Sequence, residues 1–145
     1  MTSTYRYLEE IATADVAFEA WGATPEDTFL AAADATLNTM VEEIGTVASR
    51  EHREIAVAAD GLDLLLFELL QELVYYKDAE RLLLRVRDLR IEETGDGYRL
   101  RAEGWGETID PDRHGLLADV KAVTLHRLVV ERIPDGWRAV VVLDV

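Results

Sequence analysis

The sequence has 145 residues, of which 49% are hydrophobic and 30% charged, and it contains no cysteine. This composition predicts one globular domain over residues 1–145 and excludes disulfides, thiolate catalysis and cysteine-based zinc sites. The 15 basic residues against 29 acidic ones give a net charge of −14, which argues against direct nucleic-acid binding through a broad basic face.

The start of the sequence, MTSTYRYLEE, lacks the basic and apolar regions of a secretory signal. No apolar run approaches the ~20 residues that a membrane-spanning helix needs. We therefore expect a soluble, cytoplasmic protein. Lys77 and Lys121 are the only lysines. The scarcity of lysine and the excess of acids suggest a halophilic host, because a salty cytoplasm screens the repulsion among surface acids.

The first predicted elements are a strand and a helix. Residues 14–21 alternate between apolar and polar positions, which is typical of a strand. Thr24 is placed as an N-cap and Pro25 as the first helical residue. Apolar residues then recur at helical spacing to about Ile44, and Gly45 is expected to end the helix.

A second strand and helix follow. The stretch EIAVAAD, residues 54–60, is predicted as a short strand whose last residue, Asp60, caps the next helix. That helix carries a wide stripe of leucines and is expected to be well buried.

From residue 80 onward the pattern favours strands. The alternation in RLLLRVRDLRIEE changes phase near Arg87 and Asp88, which predicts a bulge, and TGDG predicts a turn into the partner strand YRLRAEGWGE. DPDRHG is expected to contain one helical turn. The last two strands are predicted in DVKAVTLHRLVVER and GWRAVVVLDV. The order β-α-β-α-β-β-β-β indicates an α+β fold, with two helices packed on a largely antiparallel or mixed sheet.

The motifs of common enzyme classes are missing. His52, His114 and His126 lack metal-ligand spacing, and the sequence has no Walker loop, GxSxG elbow or Rossmann fingerprint. A pair of carboxylates acting as acid and base stays open, because 29 acids allow too many pairs for spacing to choose among them.

Three charged residues stand out by their position. Asp15 lies among small and apolar residues of the first strand, Lys121 lies in DVKAVTLH, and Asp144 precedes the final Val145. Each has an ordinary interpretation, as a solvated strand-edge acid, a surface cation and a frayed end, respectively.

Several blocks together resemble the archease family over nearly the whole length. They are TADVAFEAWG with the helix start TPEDTF, LLLFELLQELVYYKD, the GE of GWGE with His114 downstream, DVKAVTLH, and the ending W..VVVLDV. The resemblance implies a helper protein and not an enzyme. Archeases stimulate the GTP-dependent RNA ligase of tRNA splicing, promoting transfer of GMP to the ligase's active-site histidine and repeated turnover.

The resemblance also implies a divalent metal, usually calcium, at positions that match Asp15, Asp144 and Val145. If the first and last strands are neighbours, the two carboxylates can converge and would repel each other unless a cation neutralised them. All-oxygen ligands suit Ca²⁺, with Mg²⁺ or Mn²⁺ as substitutes, and not zinc.

Two further expectations concern single residues. Lys121, in the KAVT block, is expected to face the metal region and to contact the ligase. Many archeases have a histidine before the first strand where this sequence has Glu10, so the role of that histidine does not carry over. Glu10 becomes at most an accessory acid.

Other functions stay open on the sequence alone. They are a chaperone or modulator of other RNA-modifying enzymes, a metal-dependent hydrolase using Asp15 and Asp144, and direct tRNA capture by the arginine cluster Arg81, Arg85, Arg87 and Arg90. The net charge of −14 disfavours tRNA capture.

Overall fold

A computed structural model describes residues 4–8 and 15–145, so Glu10 lies outside the described residues. The strands are β1 Thr4–Tyr7, β2 Asp15–Gly22, β3 Glu51–Ala59, β4 Leu82–Thr94, β5 Gly97–Thr108, β6 Ala122–Val123, β7 Val129–Ile133 and β8 Gly136–Asp144. The helices are α1 Pro25–Met40, α2 Leu62–Glu80 and the single turn α3 Pro111–His114, with a 3₁₀ turn at Ile44–Thr46.

The fold is α+β, and the predicted class is confirmed. All strand pairs are antiparallel, and they form two sheets where the sequence predicted one. The larger sheet has the order β1-β2-β8-β6 with β7 also paired to β8, and the smaller sheet has the order β3-β5-β4. One buried core joins side chains of both sheets to those of α1 and α2.

Helix α1 begins as predicted and ends earlier. The Thr24 hydroxyl accepts a hydrogen bond from the main-chain N–H of Asp27 at 3.1 Å, and Pro25 is the first helical residue. The helix ends at Met40 and not near Ile44, because Val41 adopts an extended conformation and bridges Leu116. A tertiary contact therefore ends the helix four residues earlier than the apolar pattern suggested.

Helix α2 does not use the predicted cap. Its N-cap is Gly61, whose carbonyl accepts from the N–H of Leu65 at 2.9 Å, and Asp60 makes no capping bond. Asp63, in the first turn, instead accepts from the adjacent N–H of Leu64 at 2.8 Å. The strand before α2 also starts earlier than predicted, at Glu51.

The bulge and the turn in the smaller sheet lie where the sequence placed them. The β4–β5 register shifts between Arg87 and Arg90, and Asp88 has a φ of 52°. Asp tolerates this left-handed conformation better than most residues.

A side chain at Gly106 would meet the carbonyl oxygen of Leu83 at 1.6 Å, so GWGE needs glycine there for β5 to approach β4.

The penultimate predicted strand is divided. Only Ala122–Val123 and Val129–Ile133 pair with β8, and the chain turns between them. Arg127 has a φ of 57°, and the N–H of Leu128 donates to the carbonyl of Leu125 at 3.3 Å. Apolar and β-branched residues are frequent on both sides of this turn, which is why the sequence indicated one strand. No helix in the described part of the chain is long and apolar enough to cross a membrane.

Candidate functional site

Asp15 and Asp144 lie directly opposite each other, at the first residue of β2 and the last residue of β8. Both are partly exposed. Opposite residues of antiparallel strands point to the same face of the sheet, with Cβ atoms about 4.5–5.5 Å apart. The start of β2 and the end of β8 therefore meet, and two like charges face each other.

The pair lies on the face of the larger sheet that is turned away from the helices. Leu143 is fully buried in the core that the helices share, and it pairs with Val16. Because successive residues of a strand point to opposite faces, Asp15 and Asp144 point to the other side. The carboxylates can therefore reach an ion or a partner without entering the core.

Strand β6 holds the other side of Asp144. Ala122 lies opposite Asp144, and the main-chain N–H of Lys121 donates to the carbonyl oxygen of Asp144 at 2.8 Å. The Lys121 side chain is exposed. Lys121 therefore lies beside the carboxylate pair through its main chain, and its ammonium is available to a partner.

Val145 follows Asp144 directly. It is partly buried, and it packs against the core. This packing holds its main-chain oxygen close to the end of β8. The predicted ligands Asp15, Asp144 and Val145 thus occupy one edge of the sheet.

Glu19 lies on the same face of β2 and, unlike Asp15 and Asp144, has its charge neutralised by arginines. Glu19 accepts hydrogen bonds from Arg6 Nε at 2.8 Å and Arg138 Nε at 2.9 Å, and it is only 4% exposed. Burial raises its pKa, but the bonds from Arg138 and Arg6 outweigh burial and hold the pKa below its usual value. Within residues 4–8 and 15–145, no basic side chain does the same for Asp15 or Asp144.

The donor atoms at this edge fit a hard divalent ion. Among the described residues, no group of three or more His, Asp or Glu side chains could hold a metal. The edge offers fewer side-chain ligands than that, two carboxylates with main-chain oxygen beside them, and oxygen atoms of this kind suit Ca²⁺, Mg²⁺ or Mn²⁺. Calcium prefers ~6–8 oxygens, so water or a partner would supply the rest.

A second cluster, around Glu107, was not predicted as a unit. Glu107 is 4% exposed at the end of β5, and it accepts from the main-chain N–H of Ala48 at 2.7 Å and from the Arg113 guanidinium. Burial raises the pKa of Glu107, but the bonds from Arg113, Ala48 and His114 lower it to about 2. Glu107 therefore joins β5, α3 and the loop that leads into β3.

His114 completes this cluster. Its Nδ1 accepts from the main-chain N–H of Asp110 at 2.8 Å, which leaves the proton on Nε2, 2.9 Å from the Glu107 carboxylate. Both ring nitrogens of His114 therefore bond to groups inside the protein, and the residue is 1% exposed. The available signal was the helical turn DPDRH that follows GWGE, which brings His114 back to Glu107.

Comparison with a family profile and with individual proteins points to the same family. Residues 5–145 match the profile of the Archease protein family (MTH1598/TM1083). The chain is 37% identical to a protein archease of Pyrococcus abyssi, over 92% of this chain and 94% of that one. It is 39% identical to a protein archease of Thermococcus gammatolerans, over 91% and 93% of the two chains.

Solved structures agree with the sequence relatives. The solution structure of Methanobacterium thermoautotrophicum protein 1598 has a TM-score of 0.81 and 28% identity, covering 99% of each chain. The crystal structure of a Thermotoga maritima protein described as "an archease, possible chaperone" has a TM-score of 0.60 and 23% identity, covering 92% and 93%. The second likeness shows the fold alone.

Proposed function

The chain belongs to the archease family, and from this premise we propose that it is a non-enzymatic activator of the GTP-dependent RNA ligase of tRNA splicing. It promotes transfer of GMP to the ligase's active-site histidine and repeated turnover of the ligase. The observation that carries the proposal is the facing pair Asp15 and Asp144, which no described basic side chain neutralises, at the position where the family resemblance implies a divalent cation.

In this proposal Asp15, Asp144 and Val145 hold calcium at the edge of the larger sheet. A bound calcium ion would supply an electropositive contact point with open coordination positions. The chain's own residues hold this contact point in one position. Strands β2 and β6 pair with Asp144 from both sides, and Val145 packs against the core. A carboxylate or main-chain oxygen of the ligase could then complete the shell.

Lys121 is proposed to contact the ligase directly. Its main chain is bonded to Asp144, and its side chain is exposed, so removal of the ammonium should leave the strand intact. We expect Lys121→Ala to reduce stimulation of ligase guanylylation by at least about tenfold, a loss typical of a charge pair at an interface. Calcium binding should be unchanged, and Arg127→Ala, an exposed cation in the next turn, serves as the control. Undiminished stimulation by Lys121→Ala would show that this lysine has no part in docking.

The function itself is tested with the host's ligase and GTP. Covalent GMP on the ligase is measured with and without the protein, at ratios well below one protein per ligase. Stimulation at these ratios, lost on addition of a calcium chelator, supports the activator. Hydrolysis of phosphate esters by the protein alone would instead support a metal-dependent hydrolase.

A chaperone of RNA-modifying enzymes is the second candidate. Leu116 and Leu117 are 47% and 57% exposed, beside a cavity of about 420 Å³ whose walls include Met40, Leu83 and Ile109. Exposed apolar residues beside a cavity are a common feature of surfaces that bind proteins. Protection of the ligase against aggregation with no change in guanylylation would favour this function over activation.

A further inference from the structure

The outer face of the smaller sheet carries one third of the basic residues of the chain. Strand alternation places five arginines there, on β4 and β5: Arg85, Arg87, Arg90, Arg99 and Arg101. Five acids share the face by the same alternation: Glu54, Asp88, Glu92, Glu103 and, buried at its end, Glu107. The face is therefore neutral, whereas the rest of the chain has a net charge of −14.

The bulge brings two of these arginines together. The register shift between Arg87 and Arg90 places Arg90 opposite Arg101, and both side chains are exposed. Like charges at opposite positions destabilise a sheet. Arg85 and Arg99 have carboxylate partners in Asp34 and Glu92, at 3.4 and 2.9 Å. Within residues 4–8 and 15–145, Arg90 and Arg101 have no carboxylate partner at ion-pair distance. They border a depression of about 290 Å³ that Glu54, Asp88 and Glu103 also line.

An aromatic row lies next to the arginines on the same face. Trp105 is opposite His52 on one side and Arg85 on the other. The Trp105 and His52 rings are 4.5 Å apart, and His52 is bonded to Glu103. Glu103 lies between Trp105 and Arg101 on the same strand, so the aromatic row and the arginines meet at this carboxylate.

We propose that this face binds single-stranded RNA, with Trp105 stacking on a base and Arg90 and Arg101 sharing a backbone phosphate. Trp105 lies four positions after Arg101 on β5, a distance of about 13 Å that a few nucleotides can cover. Aromatic residues beside arginines on an open sheet face are the usual way in which proteins hold single-stranded RNA. The proposal does not depend on the metal edge, which belongs to the other sheet.

The proposal revises the expectation drawn from net charge. The value of −14 describes the whole molecule, but this face is neutral, and the excess of acids lies on the rest of the chain. An acidic protein segment could also satisfy two guanidinium groups. The aromatic row favours RNA, because stacking on Trp105 adds nothing to the binding of a carboxylate.

Fluorescence anisotropy of a labelled single-stranded RNA of about 12 nucleotides tests the proposal, within the ~4–16 nucleotides that single-strand binding folds cover. The titration uses the full chain, starts at low salt, and is repeated as salt rises. Arg90→Gln with Arg101→Gln should weaken binding at least tenfold and reduce the salt slope by about 0.7, the value for one lost phosphate contact on a single strand. The control, Arg127→Gln with Arg132→Gln, removes the same charge near β7 of the larger sheet. Its affinity for the RNA should stay within about twofold of the wild type.

Trp105→Ala should weaken RNA binding at least about fivefold at every salt concentration, because stacking is not screened. Circular dichroism checks that each variant is folded. The proposal is wrong if the wild type does not bind RNA at low salt, or if the control pair loses as much affinity as the Arg90 and Arg101 pair. It is also wrong if a polyglutamate peptide binds as tightly as the RNA and Trp105→Ala alters the affinity for neither of them. That result would assign the face to an acidic protein partner.

Discussion

Replacing Asp15 and Asp144 by asparagine together is expected to reduce stimulation of ligase guanylylation to the level without the protein. Asparagine keeps the size of the side chain and removes both charges, so a divalent cation loses its two strongest ligands. The carboxylates face each other across β2 and β8, and no described basic side chain neutralises them. Without the ion, removal of their repulsion should leave the free energy of unfolding unchanged or slightly higher. Guanylylation of the ligase and urea denaturation of the calcium-free protein measure the two effects.

The matched control is Asp96→Asn with Asp135→Asn. These two acids lie in the β4–β5 and β7–β8 turns and are exposed. The control changes the net charge by the same amount and should retain full stimulation. If the Asp15 and Asp144 variant is folded and stimulates the ligase like the wild type, the metal edge has no part in activation.

Replacing Glu107 by alanine is expected to lower the free energy of unfolding by about 3–5 kcal/mol at neutral pH. The change leaves the main-chain N–H of Ala48 and the Nε2–H of His114 without their acceptor, and His114 is 1% exposed. Glu107→Gln keeps an acceptor for these donors, so its loss should be clearly smaller. Urea denaturation of the three proteins gives the comparison. Equal stability of Glu107→Ala and wild type would show that this cluster does not hold the loop before β3.

The same carboxylate predicts a dependence on pH. Its pKa is lowered from 4.5 to about 2 in the folded protein, so its contribution is complete above about pH 4.5. The contribution declines as pH falls from there toward 2, because the carboxylate is protonated at a lower pH in the folded state than in the unfolded state. The stability difference between wild type and Glu107→Ala should therefore shrink below about pH 4.5. A difference that stays constant down to pH 3 would mean that the carboxylate charge is not what stabilises the cluster.

Local chemistry made the beginning of α1 and the β4 bulge predictable. The Thr24 cap depends on three neighbouring residues, and the phase change near Arg87 is visible in the alternation itself. The end of α1 at Met40 was not predictable in this way, because it depends on the bridge from Val41 to Leu116. The division into two sheets has the same origin, since it depends on which distant strands pair.

The candidate site shows the same limit. From spacing alone Asp15 and Asp144 were two acids among 29, and only the family resemblance joined them. The pairing of β2 with β8 supplies the physical reason, because it sets the two residues opposite each other. The clusters around Glu19 and Glu107 were missed because their partners come from distant parts of the chain, such as Arg138 and Ala48.

Thermal unfolding of the protein as calcium is titrated tests the central claim most directly. An ion held between Asp15 and Asp144 stabilises the folded chain by about 2.7 kcal/mol when its concentration is 100 times the dissociation constant. We expect a rise in Tm that grows with calcium, reverses on addition of a chelator, and is absent from the Asp15→Asn, Asp144→Asn protein. A Tm that does not respond to calcium, magnesium or manganese, or an equal rise in that variant, would contradict the claim.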